Sequence, residues 1–166
     1  MRLLPGAICA FLVMLVLSVV AAGPAQAVPD GPLRPYLESL EPLALEWPAD
    51  GSVTDGFGPR WGRMHLGIDV GILTSLDVRA AAAGTVTEAG WLDGYAGYGN
   101  VVTIDVGDGY SMLYAHLTSA SVRPGDWLDA GDPVGIAGCT GSCTGTHLHF
   151  ELRRAGVPVD PAPFLR

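Results

Sequence analysis

Glycine-bounded runs of β-forming residues restrict the folds that this sequence can adopt. The 166 residues include 23 glycines and 13 prolines, which keep regular elements short. Between them lie runs rich in valine, isoleucine, threonine and aromatic residues, and no helical period continues beyond two turns. The runs predicted as strands are 84–91, 100–106, 110–117, 133–137 and 146–152, with a hairpin turn at 107–109. The sequence therefore predicts a mainly β domain with little helix.

The N-terminal segment has the pattern of a secretory signal peptide. Arg2 precedes an apolar run over 8–20, and small residues then lead to the sequence A-Q-A at 25–27. A basic start, a short apolar core and an A-x-A site predict cleavage after Ala27. A retained membrane anchor is the weaker alternative, because the apolar run is short for a membrane span. We expect residues 1–27 to be removed and the protein to be secreted or held in the cell envelope, without a membrane attachment.

The composition of the remaining chain changes near residue 47. Residues 28–46 carry four prolines and few apolar side chains, which is typical of a linker or surface arm. The β-type runs start at Trp47, so we predict a single domain over 47–166. A chain of this length holds one domain with appendages, and we expect it to be a monomer.

The charge of the chain excludes two classes of function. The formal net charge is −8, and all nine basic residues are arginines. Nucleic-acid binding depends on clustered basic residues, so we expect no nucleic-acid partner. Two glycine-spaced stretches, 78–86 and 122–136, have the spacing of barrel-sandwich folds that carry biotin or lipoyl groups. Such carriers need a lysine to modify, and its absence from the sequence excludes that function.

The cysteines predict one disulfide. Cys9 lies in the predicted signal peptide, which leaves Cys139 and Cys143 in the exported chain. Two cysteines in an oxidising compartment normally form a disulfide, here closing a loop of three residues. The alternative is a structural zinc site of these two cysteines and two histidines. It is less favoured because exported thiols are normally oxidised.

Four histidines and one carboxylate are the candidates for chemistry. His147 and His149 occupy alternate positions of a predicted strand, so both side chains face one side of the sheet. In a straight strand His65 and Asp69 would be about 13 Å apart, so the chain must bend at Gly67 if they converge. Two histidines, one carboxylate and an open position are the usual form of a catalytic zinc site.

The order of the motifs resembles the LytM/lysostaphin-type zinc endopeptidases. The motifs are Gly56-Phe57-Gly58-x-Arg60, His65-x-Gly67-x-Asp69, Gly97-Tyr98-Gly99-Asn100, Tyr114-Ala115-His116-Leu117 and His147-Leu148-His149-Phe150-Glu151. They cover the chain from about Trp47 to Phe164. The resemblance implies a small antiparallel β domain, barrel-sandwich-like, whose groove holds one Zn²⁺. It also implies a secreted endopeptidase that cuts peptidoglycan stem peptides or cross-bridges.

The resemblance implies a role for each candidate residue. His65, Asp69 and His149 would be the zinc ligands, and His116 and His147 would be catalytic. One catalytic histidine would take a proton from the zinc-activated water, and the other would stabilise the developing oxyanion.

Three departures from the family pattern concern the surroundings of this site. A tyrosine that precedes the first ligand in some members has no counterpart, and Arg60 is a candidate substitute for stabilising the oxyanion. Val106 and Met112 replace a histidine and a threonine that are common in relatives. We expect these two changes to alter the lining of the groove only.

Two other functions stay open at this point. Some relatives have lost ligands and act as non-catalytic wall-binding regulators that activate a cell-wall amidase. Alternatively, His116, His147 and His149 could form a three-histidine hydrolytic or hydratase site that leaves Asp69 without a role. The sequence also leaves open whether a glycyl bridge or a D-Ala–diaminopimelate cross-link is cut.

Overall fold

The structure is a computed structural model that describes residues 43–166. The predicted signal peptide, 1–27, and residues 28–42 of the predicted arm lie outside the described residues. Within the described part, no helix has the length and apolar character needed to cross a membrane.

Antiparallel strands make up about half of the described chain, which has one 3₁₀ helix, η1 (Ala162–Phe164). The strands are β1 (Ser52–Asp55), β2 (Gly58–Arg60), β3 (Arg63–His65), β4 (Ile68–Gly71), β5 (Asp77–Arg79), β6 (Gly84–Trp91), β7 (Asn100–Gly107), β8 (Tyr110–Leu117), β9 (Ser119–Ala120), β10 (Trp127–Leu128), β11 (Pro133–Ile136), β12 (Leu148–Arg154) and β13 (Val157–Val159). The largest sheet has the order β1-β4-β12-β8-β7-β6-β10, with β13 paired to β12. Smaller sheets have the orders β5-β11-β9 and β2-β3. The prediction of a mainly β, antiparallel domain with little helix is confirmed.

The β6-β7-β8 meander follows the predicted strands closely. The turn between β7 and β8 passes through Gly107, Asp108 and Gly109, with φ values of 83°, 51° and 76°. Glycine at two of these positions allows the left-handed backbone that the tight turn requires. β12 starts at Leu148, two residues later than predicted. His147 instead forms an isolated bridge with Gly138.

The main core lies on one face of the large sheet. Leu148, Phe150 and Leu152 alternate along β12 and are fully buried on this face, as the alternation of the sequence predicted. On the opposite face Val101, Leu113 and Ala115 form a smaller cluster, covered by half-buried side chains of the β6–β7 connection. Because β12 lies in the middle of the sheet, its polar residues on the second face are also shielded from water.

The folded unit begins earlier than Trp47. Leu45 is 1% exposed and packs in the main core. Its N–H donates to the carbonyl of Phe164 at 2.9 Å, and its carbonyl accepts from Arg166 at 2.9 Å. Residues 43–46, which the sequence assigned to the arm, therefore pack with the domain.

Gly67 lies in the connection between β3 and β4, where backbone passes directly against β12. A Cβ atom at this position would lie 2.2 Å from the Phe150 carbonyl oxygen and 2.9 Å from Cγ of Glu151. Neither the backbone of β12 nor the buried Glu151 can move without disturbing the sheet. We expect Gly67→Ala to lower the free energy of unfolding by about 1–3 kcal/mol, the usual cost of overpacking.

Urea unfolding of the metal-free protein measures this effect. Gly145→Ala is the matched control, because a Cβ there meets no atom within 4 Å. We expect the control to change the free energy of unfolding by less than about 1 kcal/mol. Equal unfolding midpoints for the two variants would contradict the packing argument.

Candidate functional site

Three donor atoms converge where β3, β4 and β12 meet. His65 ends β3, and β4 and β12 place Asp69 directly opposite His149. His65 Nε2 lies 3.1 Å from Asp69 Oδ1 and 3.1 Å from His149 Nδ1, and the last two atoms are 2.8 Å apart. All three residues are buried or nearly so. The chain turns at Leu66–Gly67 between two different sheets, which is the bend that the sequence required.

Hydrogen bonds at the outer ring nitrogens decide which nitrogens face this point. His65 Nδ1–H donates to the carbonyl of Gly56 at 2.7 Å, and His149 Nε2–H donates to Oε1 of Glu151 at 3.1 Å. A carbonyl oxygen only accepts, so the proton of His65 is on Nδ1 and its Nε2 carries a lone pair. An ionised Glu151 also only accepts, so the proton of His149 is on Nε2 and its Nδ1 carries a lone pair. Three acceptors therefore point at one another, and a cation or an extra proton must lie among them.

This donor set suits Zn²⁺. Two imidazole nitrogens and one carboxylate oxygen are common zinc ligands, and three protein ligands leave a coordination position open. A tetrahedral ion with bond lengths of roughly 2.0–2.1 Å needs donor atoms about 3.3 Å apart. The three donor atoms lie 2.8–3.1 Å apart, close to this spacing, so His65, Asp69 and His149 could hold one ion.

The protonation properties of the three residues follow from the same contacts. Burial opposes ionisation of Asp69, but the hydrogen bond and charge of His149 outweigh it and lower the pKa of Asp69 to about 2. Burial disfavours a charged His149, yet its hydrogen bonds to Asp69 and Glu151 outweigh burial and raise its pKa. For His65 burial dominates and lowers the pKa.

Arg60 supports Asp69 from the side opposite the donor atoms. Its Nη1 donates to Asp69 Oδ2 at 3.3 Å and also contacts the carboxylate of Asp55. The guanidinium is thus engaged by two carboxylates, which orients Asp69 so that Oδ1 faces the histidines. The hypothesis that Arg60 stabilises an oxyanion finds no support in this geometry.

His116 and His147 lie beside the three donors, with ring centroids 4.8 Å apart. His116 Nδ1–H donates to the carbonyl of Thr140 at 2.8 Å, and His147 Nδ1–H donates to the carbonyl of Gly145 at 2.7 Å. Both rings therefore carry their lone pair at Nε2, and that of His147 lies 3.6 Å from Asp69 Oδ1. Burial lowers the pKa of His116, which favours its neutral form. The structure thus brings all five sequence-predicted site residues together.

Glu151 is a site residue to which the sequence analysis gave no role. It is completely buried, and its carboxylate accepts from Tyr98 Oη at 2.6 Å and from Arg153 Nε at 2.7 Å, besides His149. Burial raises the pKa of Glu151, but these hydrogen bonds outweigh it and lower the pKa. The signal in the sequence was the alternation itself, since Glu151 follows His149 by two residues and shares its face of β12.

An open groove of about 680 Å³ is bordered by the five sequence-predicted site residues, His65, Asp69, His116, His147 and His149. Trp61, Met64 and Ile72 expose 84%, 46% and 78% of their surface along it, which the sequence analysis did not anticipate. Met112 is instead fully buried, and Val106 packs against the main core. The expectation that these two residues alter the groove lining is therefore wrong, because both point to the core side of the sheet.

The predicted disulfide is present beside the groove. Cys139 and Cys143 are bonded, with their Cα atoms 5.2 Å apart. Since both sulfur atoms are used in this bond, the alternative of a structural zinc site of two cysteines and two histidines is wrong.

A β domain with two histidines and one carboxylate converging in a groove has the donor set of a metal site with an open coordination position. The chain belongs to Peptidase family M23, whose family model matches residues 63–161, more than half of the chain. This confirms the resemblance drawn from the motifs.

Known relatives and a solved structure agree with the family. DD-carboxypeptidase/endopeptidase Mpg of Neisseria meningitidis is 42% identical over 99 residues, which cover 60% of this chain and 22% of Mpg. Murein hydrolase activator NlpD of Salmonella typhimurium is 37% identical over 122 residues, covering 74% of this chain and 31% of NlpD. The catalytic domain of lysostaphin from Staphylococcus simulans superposes with a TM-score of 0.61 at 34% identity, covering 69% of this chain and 91% of that domain. The lysostaphin-type fold is thereby confirmed.

The chain spans between 22% and 39% of the length of the first curated relatives that it matches. By their names these relatives include both an endopeptidase and activators of murein hydrolases.

The depressed pKa of Asp69 makes the stability of the metal-free protein acid-sensitive. Its pKa is about 2 in the folded protein against an ordinary value of 3.8, so the unfolded chain takes up the proton first. The stabilisation is complete above pH 4 and is lost as the pH falls towards 2. It amounts to about 2 kcal/mol, at 1.36 kcal/mol per pKa unit.

Urea unfolding at pH 5 and pH 2.5 tests this expectation. Metal-free Asp69→Asn should lose less stability between the two pH values than the wild type, because Asp69 no longer titrates. Asp93→Asn removes the same charge at an exposed position away from the site and should retain the wild-type slope. An identical pH dependence for wild type and Asp69→Asn would refute the assignment.

Proposed function

We propose that this protein is a secreted, zinc-dependent endopeptidase that hydrolyses peptide bonds in peptidoglycan stem peptides or cross-bridges. The observation that carries the proposal is the convergence of five side chains on one groove. Three of them offer lone pairs to a cation, and two more imidazoles lie beside it. Membership of Peptidase family M23 supports a peptidase, and the signal-peptide pattern supports export.

In this proposal His65, Asp69 and His149 hold one Zn²⁺ per chain. The bound ion supplies Lewis-acid chemistry, activating water and polarising the scissile carbonyl. Arg60 and Glu151 keep the ligands in place, Arg60 through Asp69 and Glu151 through His149. Outer partners of this kind fix ring orientation and make an imidazole a stronger ligand.

His116 and His147 are the proposed acid–base pair. Each holds its proton at Nδ1 and presents the lone pair of Nε2. The Nε2 of one histidine accepts the proton of the attacking water and later delivers it to the amine that leaves. The second histidine, when protonated, donates a hydrogen bond to the carbonyl oxygen as negative charge develops there. The lowered pKa of His116 supplies a neutral base near pH 7.

The groove supports a polymer-bound peptide as the substrate. It is open, about 680 Å³ in volume, and combines exposed apolar side chains with polar loops. A protein of net charge −8 has no general attraction for nucleic acid, so the proposed partner is peptidoglycan and not a nucleic acid. We propose a monomer that acts in the cell envelope or outside the cell.

A second candidate function is regulation of a cell-wall amidase. It is favoured by the 37% identity to a protein described as a murein hydrolase activator. Catalysis is favoured by the presence of all three donors and both further histidines in one site. A zymogram on purified cell walls distinguishes the two. Clearing by the zinc-loaded protein alone supports the endopeptidase, whereas clearing only when an amidase is added supports the regulator.

The proposed ligands and the proposed catalytic pair should respond differently to alanine. His149→Ala should lose zinc and activity together, because a ligand is removed. His147→Ala and His116→Ala should each retain about one zinc per chain and lose roughly 10²–10⁴-fold in activity. That loss corresponds to about 3–5 kcal/mol of transition-state stabilisation. Metal analysis and mass analysis of released muropeptides provide the two measurements.

The double variant His116→Ala/His147→Ala is the internal control. Its loss should be smaller than the product of the single losses if the two histidines act as a unit. If His147→Ala lost zinc while His149→Ala retained it, the ligand and catalytic roles would be exchanged.

Removing the charge of Glu151 should weaken zinc binding without removing a ligand. Glu151→Gln retains the size of the side chain but not its anionic charge, and changes to such outer partners typically cost 10–100-fold in metal affinity. Glu88→Gln is a matched control, since Glu88 also accepts a tyrosine hydroxyl, from Tyr95 at 2.7 Å, but touches no proposed ligand. Competition with a chromogenic chelator measures both affinities. Equal zinc affinities in the two variants would contradict the role of Glu151.

A further inference from the structure

The connection from β11 to β12 supports both proposed catalytic histidines. Its residues 138–147, called here the support loop, carry the Cys139–Cys143 disulfide. The Thr140 carbonyl accepts the Nδ1–H of His116 at 2.8 Å, and the Gly145 carbonyl accepts that of His147 at 2.7 Å. Thr140 lies inside the ring that the disulfide closes, whereas Gly145 lies outside it.

The side chain of Thr140 is held on two sides. Its hydroxyl donates to the carbonyl of Leu117 at 2.8 Å and accepts the N–H of Asn100 at 3.0 Å. Leu117 follows His116 directly on β8, and Asn100 starts β7. The hydroxyl thus links the disulfide ring to β8, which carries His116, and to the neighbouring strand β7.

The disulfide ring also packs backbone to backbone against the segment 97–99. Ser142 N–H donates to the Gly97 carbonyl at 2.9 Å. A Cβ on Gly99 would lie 2.4 Å from the carbonyl carbon of Thr140, and one on Gly141 would lie 2.4 Å from the Gly99 nitrogen. Glycine at both positions is therefore required for this approach.

His116 itself depends on its neighbours for its conformation. Its φ is +60°, a left-handed backbone that side-chain-bearing residues rarely adopt and that persists only where the surroundings fix it. The surrounding contacts are its N–H to the Tyr98 carbonyl at 2.8 Å and its ring to Thr140.

We propose that the Cys139–Cys143 disulfide, with the Thr140 that it encloses, is a positioning device for His116. The ring holds the Thr140 carbonyl in the place where it keeps the proton of His116 on Nδ1 and points Nε2 into the groove. This inference rests on the catalytic role proposed for His116. The metal donors have supports outside the ring, at Gly56, Arg60 and Glu151, so zinc binding does not depend on the disulfide.

The test uses the full exported chain loaded with zinc, as wild type, Cys139→Ser/Cys143→Ser, Thr140→Val and Thr140→Ser. Nitrogen-15 NMR of the histidine rings reports which nitrogen carries the proton. We expect His116 to be an Nδ1–H tautomer in the wild type and a mixture of tautomers in the double serine and valine variants. His65 and His149 should retain their wild-type signals, and zinc affinity should change less than about threefold.

Activity gives the second set of measurements. In Cys139→Ser/Cys143→Ser and in Thr140→Val, kcat should fall about tenfold or more, with little change in KM. This loss should be smaller than the 10²–10⁴-fold loss expected when an acid–base group is removed. Thr140→Ser retains the hydroxyl and should recover most of the loss. In a His116→Ala background, Thr140→Val should cause no further loss of kcat if Thr140 acts through His116.

Each outcome decides the proposal. An unchanged His116 tautomer in both variants overturns it, and so does a loss of zinc affinity in parallel with kcat, because the loop would then support the whole site. Thr140→Val retains the disulfide, so the question stays decidable if the double serine variant melts below the assay temperature. If the wild type hydrolyses no cell wall, the proposed function fails, while the NMR comparison still shows whether the ring fixes His116.

Discussion

The site depends on one kind of interaction, in which each of the four histidines donates its outer N–H to a fixed acceptor. Three acceptors are backbone carbonyls, and the fourth is the buried carboxylate of Glu151. Since a carbonyl cannot donate, these bonds leave a lone pair on each ring nitrogen that faces the groove. The lone pairs of His65 and His149 and the Asp69 carboxylate surround one point, which creates a strong preference for a cation, and His116 and His147 lie beside it. The choice of tautomer therefore comes before the chemistry of the metal or of the acid–base pair.

The fold positions the residues of the site in two different ways. Asp69 and His149 lie opposite each other on paired strands in the interior of the large sheet, where register fixes their separation. His116 and His147 obtain their acceptors from the support loop, where the Thr140 carbonyl lies inside the disulfide ring that packs against the segment 97–99 and the Gly145 carbonyl lies outside it. Sheet pairing thus builds the donor cluster, and the support loop orients the two histidines beside it.

Features that depend on neighbouring residues could be predicted from the sequence, whereas contacts between distant segments could not. Strand positions, the shared face of His147 and His149, and the bend at Gly67 are local properties, readable from alternation and glycine placement. The pairing of Arg60 with Asp69, the burial of Leu45 and the bond from His116 to Thr140 depend on how distant segments come together. No periodicity encodes such contacts. Glu151 lies between these cases, because alternation gives its face, whereas its partner Tyr98 lies 53 residues away.

Each of the two buried carboxylates at this site is backed by an arginine, Asp69 by Arg60 and Glu151 by Arg153. An anion this far from water is tolerated only when it is paired and hydrogen-bonded. Burial raises the pKa of both carboxyl groups, but His149 at Asp69, and His149, Tyr98 and Arg153 at Glu151, outweigh burial and lower both pKa values. The two anions then act on His149 from both sides and raise its pKa. The same field that would make His149 a strong ligand for the proposed zinc also makes it a strong base, so protons and metal would compete for Nδ1. Binding of the proposed metal would consequently be coupled to pH through His149, with the metal favoured as the solution becomes less acidic.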